Sequence, residues 1–195
     1  MKNDLKDCTF IIPIRIESED RLRNAITVLC FLVSNFDTNI IVKEVDTKSV
    51  FQEQALPQIE EFCEDVSCIK HIFEESEDPL FLREKILNEM LVQTTTKVVV
   101  NYDIDVLFDP QVYLEAYRRI MEDECDMVYP YGEGPWQYRV RATDEVVSNF
   151  LNEDFDFKIL QDASWIDNAG EGWVQFLSRE VYFEGGMENE NFMGS

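Results

Sequence analysis

Three consecutive valines near the middle of the chain lead into two aspartates, Asp103 and Asp105. Such a short β-branched run, residues 98–100, is typical of a strand buried on both faces, as in a parallel sheet. The aspartates then lie at the carboxyl end of this strand, which is the edge where open α/β sheets bind ligands. Side chains two residues apart point to the same side of an extended chain, so both carboxylates can approach one cation. Oxygen ligands of this kind suit Mg²⁺ or Mn²⁺, and the alternative is a polar turn without a ligand.

Strand patterns alternate with helical patterns along residues 9–130. The predicted strands cover residues 9–15, 39–45, 68–73, 98–100 and 127–130. The predicted helices cover residues 19–35, 57–63, 80–93 and 110–122. Ser18 is the expected N-cap of the first helix, and Pro110 suits the first turn of the last. This alternation predicts an α/β fold with a mostly parallel, doubly wound sheet.

After Gly132 the pattern becomes looser, with possible strands at residues 137–142 and 172–177. The sequence contains no internal repeat and no flexible linker rich in glycine, serine or proline. We therefore expect one domain over residues 1–195.

The chain is strongly acidic: its formal charge is -23, from 17 basic and 40 acidic residues. This argues against nucleic acid or an anionic membrane as a partner, and it means that a phosphate ligand needs a bound cation. No apolar run approaches the ~20 residues that cross a bilayer, and no secretory signal precedes the first strand. We expect a cytoplasmic protein without a transmembrane segment. The five irregularly spaced cysteines predict free thiols and no zinc site.

Polar residues also follow the first two predicted strands, namely Arg15, Glu44 and Asp46. Parallel strands end at the same edge of a sheet, so together with the two aspartates these residues describe a cleft. Arg15 could bind a phosphate or a uracil edge, or it could pair locally with Glu17 or Asp20. The acids after the second strand could bind a ribose or base, or they could simply begin the next turn.

Arg83 is a basic residue near the start of a predicted helix. It could neutralise a diphosphate, or it could face the acidic loop at residues 74–77. The only histidine, His71, lies in an apolar strand and is predicted to be a core residue. No nucleophile elbow, P-loop or Rossmann glycine pattern occurs, so no Gly-rich loop is expected to hold a nucleotide. Two Gly- and Trp-rich segments, residues 132–136 and 165–173, could stack on a sugar or pack over the sheet.

Taken in order, these segments resemble the GT-A glycosyltransferases, in the galactosyltransferase-like branch related to β-1,4-galactosyltransferases and family 2 glycosyltransferases. The resemblance covers nearly the whole chain and includes Ile-Ile-Pro-Ile-Arg in the first strand and Tyr-Asp-Ile-Asp-Val as the DxD-type motif. The matching segments are residues 11–15, 81–88, 102–106, 172–178 and 183–194.

The resemblance implies a GT-A fold and a metal-dependent enzyme that moves a sugar from a nucleotide-sugar, with a UDP-sugar as the expected donor, to a saccharide acceptor. Arg15, Phe81 and Arg83 match donor-binding positions. Asp103 and Asp105 match the acids that hold Mn²⁺ or Mg²⁺ on the donor diphosphate. The branch inverts the anomeric centre, and surface polysaccharide synthesis is the setting that the resemblance suggests.

In the family, a Trp-Gly-x-Glu-Asp stretch supplies the catalytic base. That stretch is expected beyond Ser195, so the resemblance predicts a chain without its C-terminal catalytic-acid segment. The nearest carboxylates, Glu188 and Glu190, are weak candidates for the base. A non-catalytic nucleotide-sugar-binding domain is therefore the alternative. A nucleotidyltransferase ranks last, because the chain lacks the basic Gly-rich N-terminal loop that cradles a triphosphate.

Overall fold

The computed structural model describes residues 2–132, 137–167 and 174–191. The chain divides into two compact units, one formed by Met1–Pro130 with Val174–Ser195 and the other by Tyr131–Trp173. The expectation of one domain stays a prediction. Within the described ranges, no helix is both long and apolar enough to span a membrane.

The main unit contains six strands, five α-helices and one π-helical turn within the described residues. Its strands are β1 (Asn3–Ile14), β2 (Phe36–Asp46), β3 (Ile69–Glu75), β4 (Val98–Tyr102), β5 (Met127–Val128) and β8 (Val174–Ser178). Its helices are α1 (Glu19–Asn35), α2 (Leu56–Phe62), α3 (Arg83–Leu91), α4 (Pro110–Met121) and α7 (Arg179–Glu184), with the π-helical turn at Phe51–Ala55.

These strands form one sheet in the order β3-β2-β1-β4-β8-β5. β1 pairs in parallel with β2 and with β4, and β2 pairs in parallel with β3. The predicted α/β fold with a mostly parallel sheet is therefore confirmed. The chain winds to one side of β1 through β2 and β3 and to the other side through β4, and such a switch point is where open α/β sheets bind ligands.

The last part of the sheet differs from the simple parallel order that the sequence predicts. β8 lies beside β4 and runs antiparallel to it, and β5 pairs antiparallel with β8 at the edge. The fifth predicted strand therefore does not extend the parallel sheet. The reason is tertiary: β8 comes later in the chain and takes the position next to β4.

Alternating side chains on β1 build a core on each face of the sheet. The ring of Phe10 contacts the rings of Tyr102 and Phe176 at centroid distances of 5.6 and 6.1 Å. Its neighbour Ile11 belongs to the cluster that includes Met90 of α3 on the other face. Each of these side chains is fully buried, which contributes about 1.5–3 kcal/mol apiece.

Hydrogen bonds determine where helices α1 and α3 begin. Ser18 caps α1 as predicted, since its hydroxyl accepts the Arg21 N–H at 3.2 Å. By contrast, α3 begins at Arg83 and not at the predicted residue 80. The carbonyl groups of Asp78 and Pro79 instead accept hydrogen bonds from Arg15, which keeps this stretch in a loop.

The second unit has its own secondary structure and a small core. β6 (Gln137–Val140) and β7 (Ser164–Asp167) form an antiparallel pair, and α5 (Asp144–Asn152) and α6 (Phe157–Asp162) lie between them in the chain. Phe150 is fully buried and contacts the rings of Phe155 and Phe157, each at 5.5 Å.

All five cysteines are free thiols, as the sequence predicts. Cys8, Cys30 and Cys63 are buried, and the other two are partly exposed.

Candidate functional site

Asp103 and Asp105 lie in the loop directly after β4, at the carboxyl end of the parallel part of the sheet. Asp103 is partly buried, and Asp105 is exposed. Since the ends of β1 and β2 lie on the same edge, the structure brings these acids to the sheet edge that also carries Arg15, Glu44 and Asp46.

Two buried tyrosines fix the backbone of this loop. The Tyr102 hydroxyl donates to the Val106 carbonyl at 2.5 Å and lies 2.6 Å from the Tyr113 hydroxyl. The Tyr113 hydroxyl in turn accepts the Phe108 N–H at 3.1 Å. Burial raises the pKa of both phenols, so they stay protonated and act as neutral hydrogen-bond partners. The loop geometry is thus set from the core.

Arg83, the first residue of α3, pairs with the first of the two aspartates. Its Nη2 atom donates to Asp103 Oδ1 at 2.8 Å, and both side chains are about one-third exposed, at 30% and 32%. Burial raises the pKa of Asp103, Arg83 opposes that rise, and the charge of Asp105 adds to it. Arg83 thus pairs with Asp103, whereas Glu74 of the acidic loop pairs with Lys43.

Arg15 is buried, and its guanidinium group holds the loop that leads to α3. Within the described residues it donates to the carbonyl oxygens of Val45, Asp78 and Pro79 at 2.9, 3.0 and 3.1 Å. The group also lies over the ring of Phe81, with 5.5 Å to the centroid. The structure therefore links two predicted donor-binding residues, and it shows carbonyl partners for Arg15 where a salt bridge was the sequence alternative.

Glu44 is fully buried, and its carboxylate has partners within the chain. It accepts the Ser49 hydroxyl at 2.6 Å and the Phe51 N–H at 2.9 Å, and it lies 3.3 Å from Nε2 of His71. Burial tends to raise the pKa of Glu44, but His71, Ser49 and the Phe51 N–H together lower it below its usual range. Asp46 accepts the N–H of its own neighbour, Thr47, at 2.7 Å. Nucleotide contacts by Glu44 and Asp46 stay predictions.

Glu188 reaches the same end of β4 from the C-terminal part of the chain. Its Oε1 atom accepts hydrogen bonds from the Tyr182 hydroxyl at 2.6 Å and from the Asn101 amide at 3.1 Å. Its backbone pairs with Asn88 of α3: the Glu188 N–H donates to Oδ1 at 2.9 Å, and the carbonyl accepts from Nδ2 at 3.0 Å. Glu190 is exposed and accepts from the same Nδ2 atom at 2.9 Å.

Sequence reasoning missed the three residues that hold Glu188, namely Asn88, Asn101 and Tyr182. A signal was present for two of them. Asn88 is a polar residue beside the apolar residues of α3, and Asn101 extends an otherwise apolar strand. Both are buried, at 5% and 0% exposure. Because buried amides need partners, such positions mark tertiary hydrogen bonds even when the partner cannot be named.

The two aspartates fit a divalent ion that is shared with a substrate. In the described ranges, no group of three or more histidine, cysteine or acidic side chains is arranged to hold a metal ion. Two carboxylates are too few for an all-protein cage, but they are the usual protein contribution to an Mg²⁺ or Mn²⁺ site completed by waters and phosphates. The donor set at Asp103 and Asp105 therefore fits a metal–diphosphate complex.

The aromatic and Gly-rich segments are described only in part. Residues 133–136 and 168–173 lie outside the described residues. Trp165 is 48% exposed and borders an open hollow of about 390 Å³ within the second unit. The other lining residues are Arg141, Thr143, Val146, Asp162, Ala163 and Ser164. Sugar stacking by these tryptophans stays a prediction.

The sequence matches no protein-family profile and no curated protein. Solved structures do share the fold. The chain is similar to the mannosyltransferase PcManGT from Pyrobaculum calidifontis, solved with GDP-Man and Mn²⁺, with a TM-score of 0.58 and 14% identity over 95% of this chain and 48% of that one. It is also similar to residues 1–349 of S. aureus TarS, with a TM-score of 0.54 and 13% identity over 100% of this chain and 52% of that one.

A second TarS structure, in complex with UDP-GlcNAc, matches with a TM-score of 0.50 and 13% identity over 96% of this chain and 48% of that one. The chain thus spans about half the length of these structures. At such identities the likeness concerns the fold and not the substrate. The protein has the α/β fold of the GT-A nucleotide-sugar transferases, with a mostly parallel six-stranded sheet.

Proposed function

We propose that this protein is a metal-dependent glycosyltransferase that takes a sugar from a nucleotide-sugar, with a UDP-sugar as the expected donor, and passes it to a saccharide acceptor. The observation that carries the proposal is the placement of Asp103 and Asp105. Both lie after β4, next to the switch point of the sheet, and Arg83 binds the first of them. The solved structures of the same fold include complexes with GDP-Man and Mn²⁺ and with UDP-GlcNAc.

The roles of the side chains follow from their charges and positions. Asp103 and Asp105 would hold Mn²⁺ or Mg²⁺, which when bound neutralises charge on the departing diphosphate. Arg83 would contact the diphosphate, since a guanidinium group forms paired hydrogen bonds with phosphate oxygens. Arg15 and Phe81 support the loop before α3 and would border the nucleotide.

A carboxylate acting as general base would remove the proton from the acceptor hydroxyl. The resemblance to the galactosyltransferase-like branch suggests that this base is a carboxylate of a Glu-Asp stretch, and it suggests inversion at the anomeric carbon. Surface polysaccharide synthesis is the setting that we propose on the same ground.

The competing proposal is a nucleotide-sugar-binding domain without catalysis. Product analysis separates the two, because a transferase releases a nucleoside diphosphate and a binding domain releases none. A nucleotidyltransferase, the third candidate, would release pyrophosphate.

The first test is calorimetric titration with UDP, GDP and several of their sugars, with and without Mn²⁺. We expect nucleotide binding that depends on Mn²⁺ and that is abolished in Asp105→Ala and Asp103→Asn, because each change removes a metal ligand. Asp20→Ala is the matched control, since Asp20 is an exposed acid on α1.

Two results count against the proposal. If Asp105→Ala binds with the same Mn²⁺ dependence as the native chain, the paired aspartates do not hold the metal. Absence of nucleotide binding under every condition would exclude a donor site in this chain.

A further inference from the structure

The carboxylate of Glu188 is held firmly through one oxygen and left open at the other. Its Oε1 atom accepts from Tyr182 and Asn101, whereas Oε2 has no hydrogen-bond partner within the described residues. Asn88, 100 positions earlier in the chain, fixes the backbone of Glu188 from both sides. Glu188 is partly exposed, so its free oxygen can meet a ligand.

In the polar cluster formed by Asn101, Gln175, Tyr182 and Glu188, the Asn101 amide nitrogen faces more hydrogen-bond acceptors than it has hydrogens. The Asn101 amide nitrogen has two hydrogens but lies within bonding distance of Gln175 Oε1, Tyr182 Oη and Glu188 Oε1, at 3.2, 2.9 and 3.1 Å. The Oδ1 atom of Asn101 is buried and has no hydrogen-bond partner in the described part of the chain. Because the Asn101 oxygen is buried, the partly exposed Glu188 carboxylate is the acceptor of this cluster that can meet a ligand with hydroxyl donors.

The cluster lies close to the proposed diphosphate contacts. Asn101 precedes Asp103 by two residues on the same strand end. Burial raises the pKa of the Tyr182 phenol, Glu188 adds to the rise, and the positive charge of Arg83 works against it. The Tyr182 hydroxyl itself contacts Glu188 at 2.6 Å and Asn101 at 2.9 Å.

We propose that Glu188 is a specificity-determining residue, whose free oxygen accepts a hydrogen bond from a hydroxyl of the donor sugar, and that Asn88 is the positioning residue that holds it there. The inference rests on the proposed function, because it requires a nucleotide-sugar at this sheet edge. A carboxylate can only accept hydrogen bonds, and a sugar beside the diphosphate presents several hydroxyl donors. Since the carboxylate is already fixed, little side-chain entropy is lost when the sugar binds.

The test compares a nucleoside diphosphate with its sugar-bearing form. In Glu188→Gln, the amide oxygen can still accept from Asn101 and Tyr182, but the atom that faces the ligand becomes a donor. We expect the Kd of UDP with Mn²⁺ to stay unchanged and the Kd of the UDP-sugar to rise about 10- to 100-fold, the usual value of one hydrogen bond to a charged group. If GDP is the nucleotide that binds, GDP and GDP-Man replace them.

Two further variants make the test specific. Glu184→Gln removes the same charge from an exposed position on α7 and should change neither Kd. Asn88→Asp keeps the acceptor for the Glu188 N–H but places an oxygen against the Glu188 carbonyl and the Glu190 carboxylate. We expect this variant to weaken UDP-sugar binding selectively, with faster hydrogen exchange at the Glu188 amide.

The outcomes separate the two proposals. If the native chain binds neither UDP nor GDP, the proposed function fails and the sugar contact fails with it. If both ligands bind the native chain and Glu188→Gln weakens them equally or not at all, the donor site stands and the sugar contact is overturned. If Asn88→Asp leaves the UDP-sugar Kd and the exchange rate unchanged, Asn88 is not the positioning residue.

Discussion

At the scale of single residues, the buried and partly buried charged side chains at the sheet edge have partners that limit what they can do. Glu44 shows this most clearly, because it is fully buried while its carboxylate accepts from the Ser49 hydroxyl and the Phe51 N–H and lies beside His71. Arg83 has the opposite character, since it is partly exposed and bound to Asp103. Their variants should therefore affect different properties.

We expect Glu44→Gln to lower the free energy of unfolding by about 2 kcal/mol at neutral pH, because a buried charge-assisted network loses its anion. The folded-state pKa of Glu44 lies below its ordinary value of 4.5. Its contribution is therefore fully present above that value and is lost as the pH falls through the lowered pKa. Urea unfolding at several pH values measures this, and the gap between native and variant should narrow in acid. Glu60→Gln, a change at an exposed position of α2, is the control. If Glu44→Gln has the same free energy of unfolding as the native chain, the Glu44 carboxylate does not stabilise the fold.

For Arg83→Ala we expect UDP binding with Mn²⁺ to weaken about 10- to 100-fold, because the diphosphate loses a charge-assisted contact. The same titration reports it. Arg21→Ala removes an exposed arginine of α1 and should leave the Kd unchanged. If Arg83→Ala binds UDP as tightly as Arg21→Ala and the native chain do, Arg83 does not contact the diphosphate and only pairs with Asp103.

At the scale of elements, α3 and the loop after β4 organise the sheet edge. α3 contributes Arg83 at its first turn and Asn88 further along, and it packs Met90 and Leu91 into the core. The position of α3 therefore fixes both Arg83, which pairs with Asp103, and Asn88, which binds the backbone of Glu188. The loop after β4 is fixed from α4 by Tyr113.

Removing one hydroxyl tests the anchoring of that loop. In Tyr113→Phe, the Phe108 N–H loses its acceptor and Tyr102 loses a partner. We expect the free energy of unfolding to fall by about 1–3 kcal/mol and Mn²⁺-dependent nucleotide binding to weaken as the loop loosens. Denaturant unfolding and calorimetry measure the two effects. Tyr138→Phe, at a side chain that is 64% exposed, should change neither, and a Tyr113→Phe chain that behaves like this control would show that the loop is held by other contacts.

At the scale of the whole molecule, the chain contains two compact units. Phe150→Ala should destabilise the second unit by about 3–5 kcal/mol, because it removes a fully buried ring. We expect hydrogen exchange to increase over residues 137–167 and to stay slow in the strands of the main unit. The reciprocal variant, Phe36→Ala, should affect the main unit. Exchange that rises across the whole chain in Phe150→Ala would support the single cooperative domain that the sequence predicts.

The sequence by itself determined the local elements and the place of the acids. The predicted bounds of α1 agree with the structure, because its cap and apolar period are written in consecutive residues. The valine run specified a buried strand, and the position of Asp103 and Asp105 followed from where that strand ends.

The tertiary structure decided everything that depends on distant partners. It placed β8 beside β4, turned the donors of Arg15 toward the carbonyls of Val45, Asp78 and Pro79, and paired Arg83 with Asp103. It also joined Asn88 to Glu188 across 100 positions. A local pattern reports which face of an element is apolar, whereas the partner of a buried polar group depends on how the elements pack.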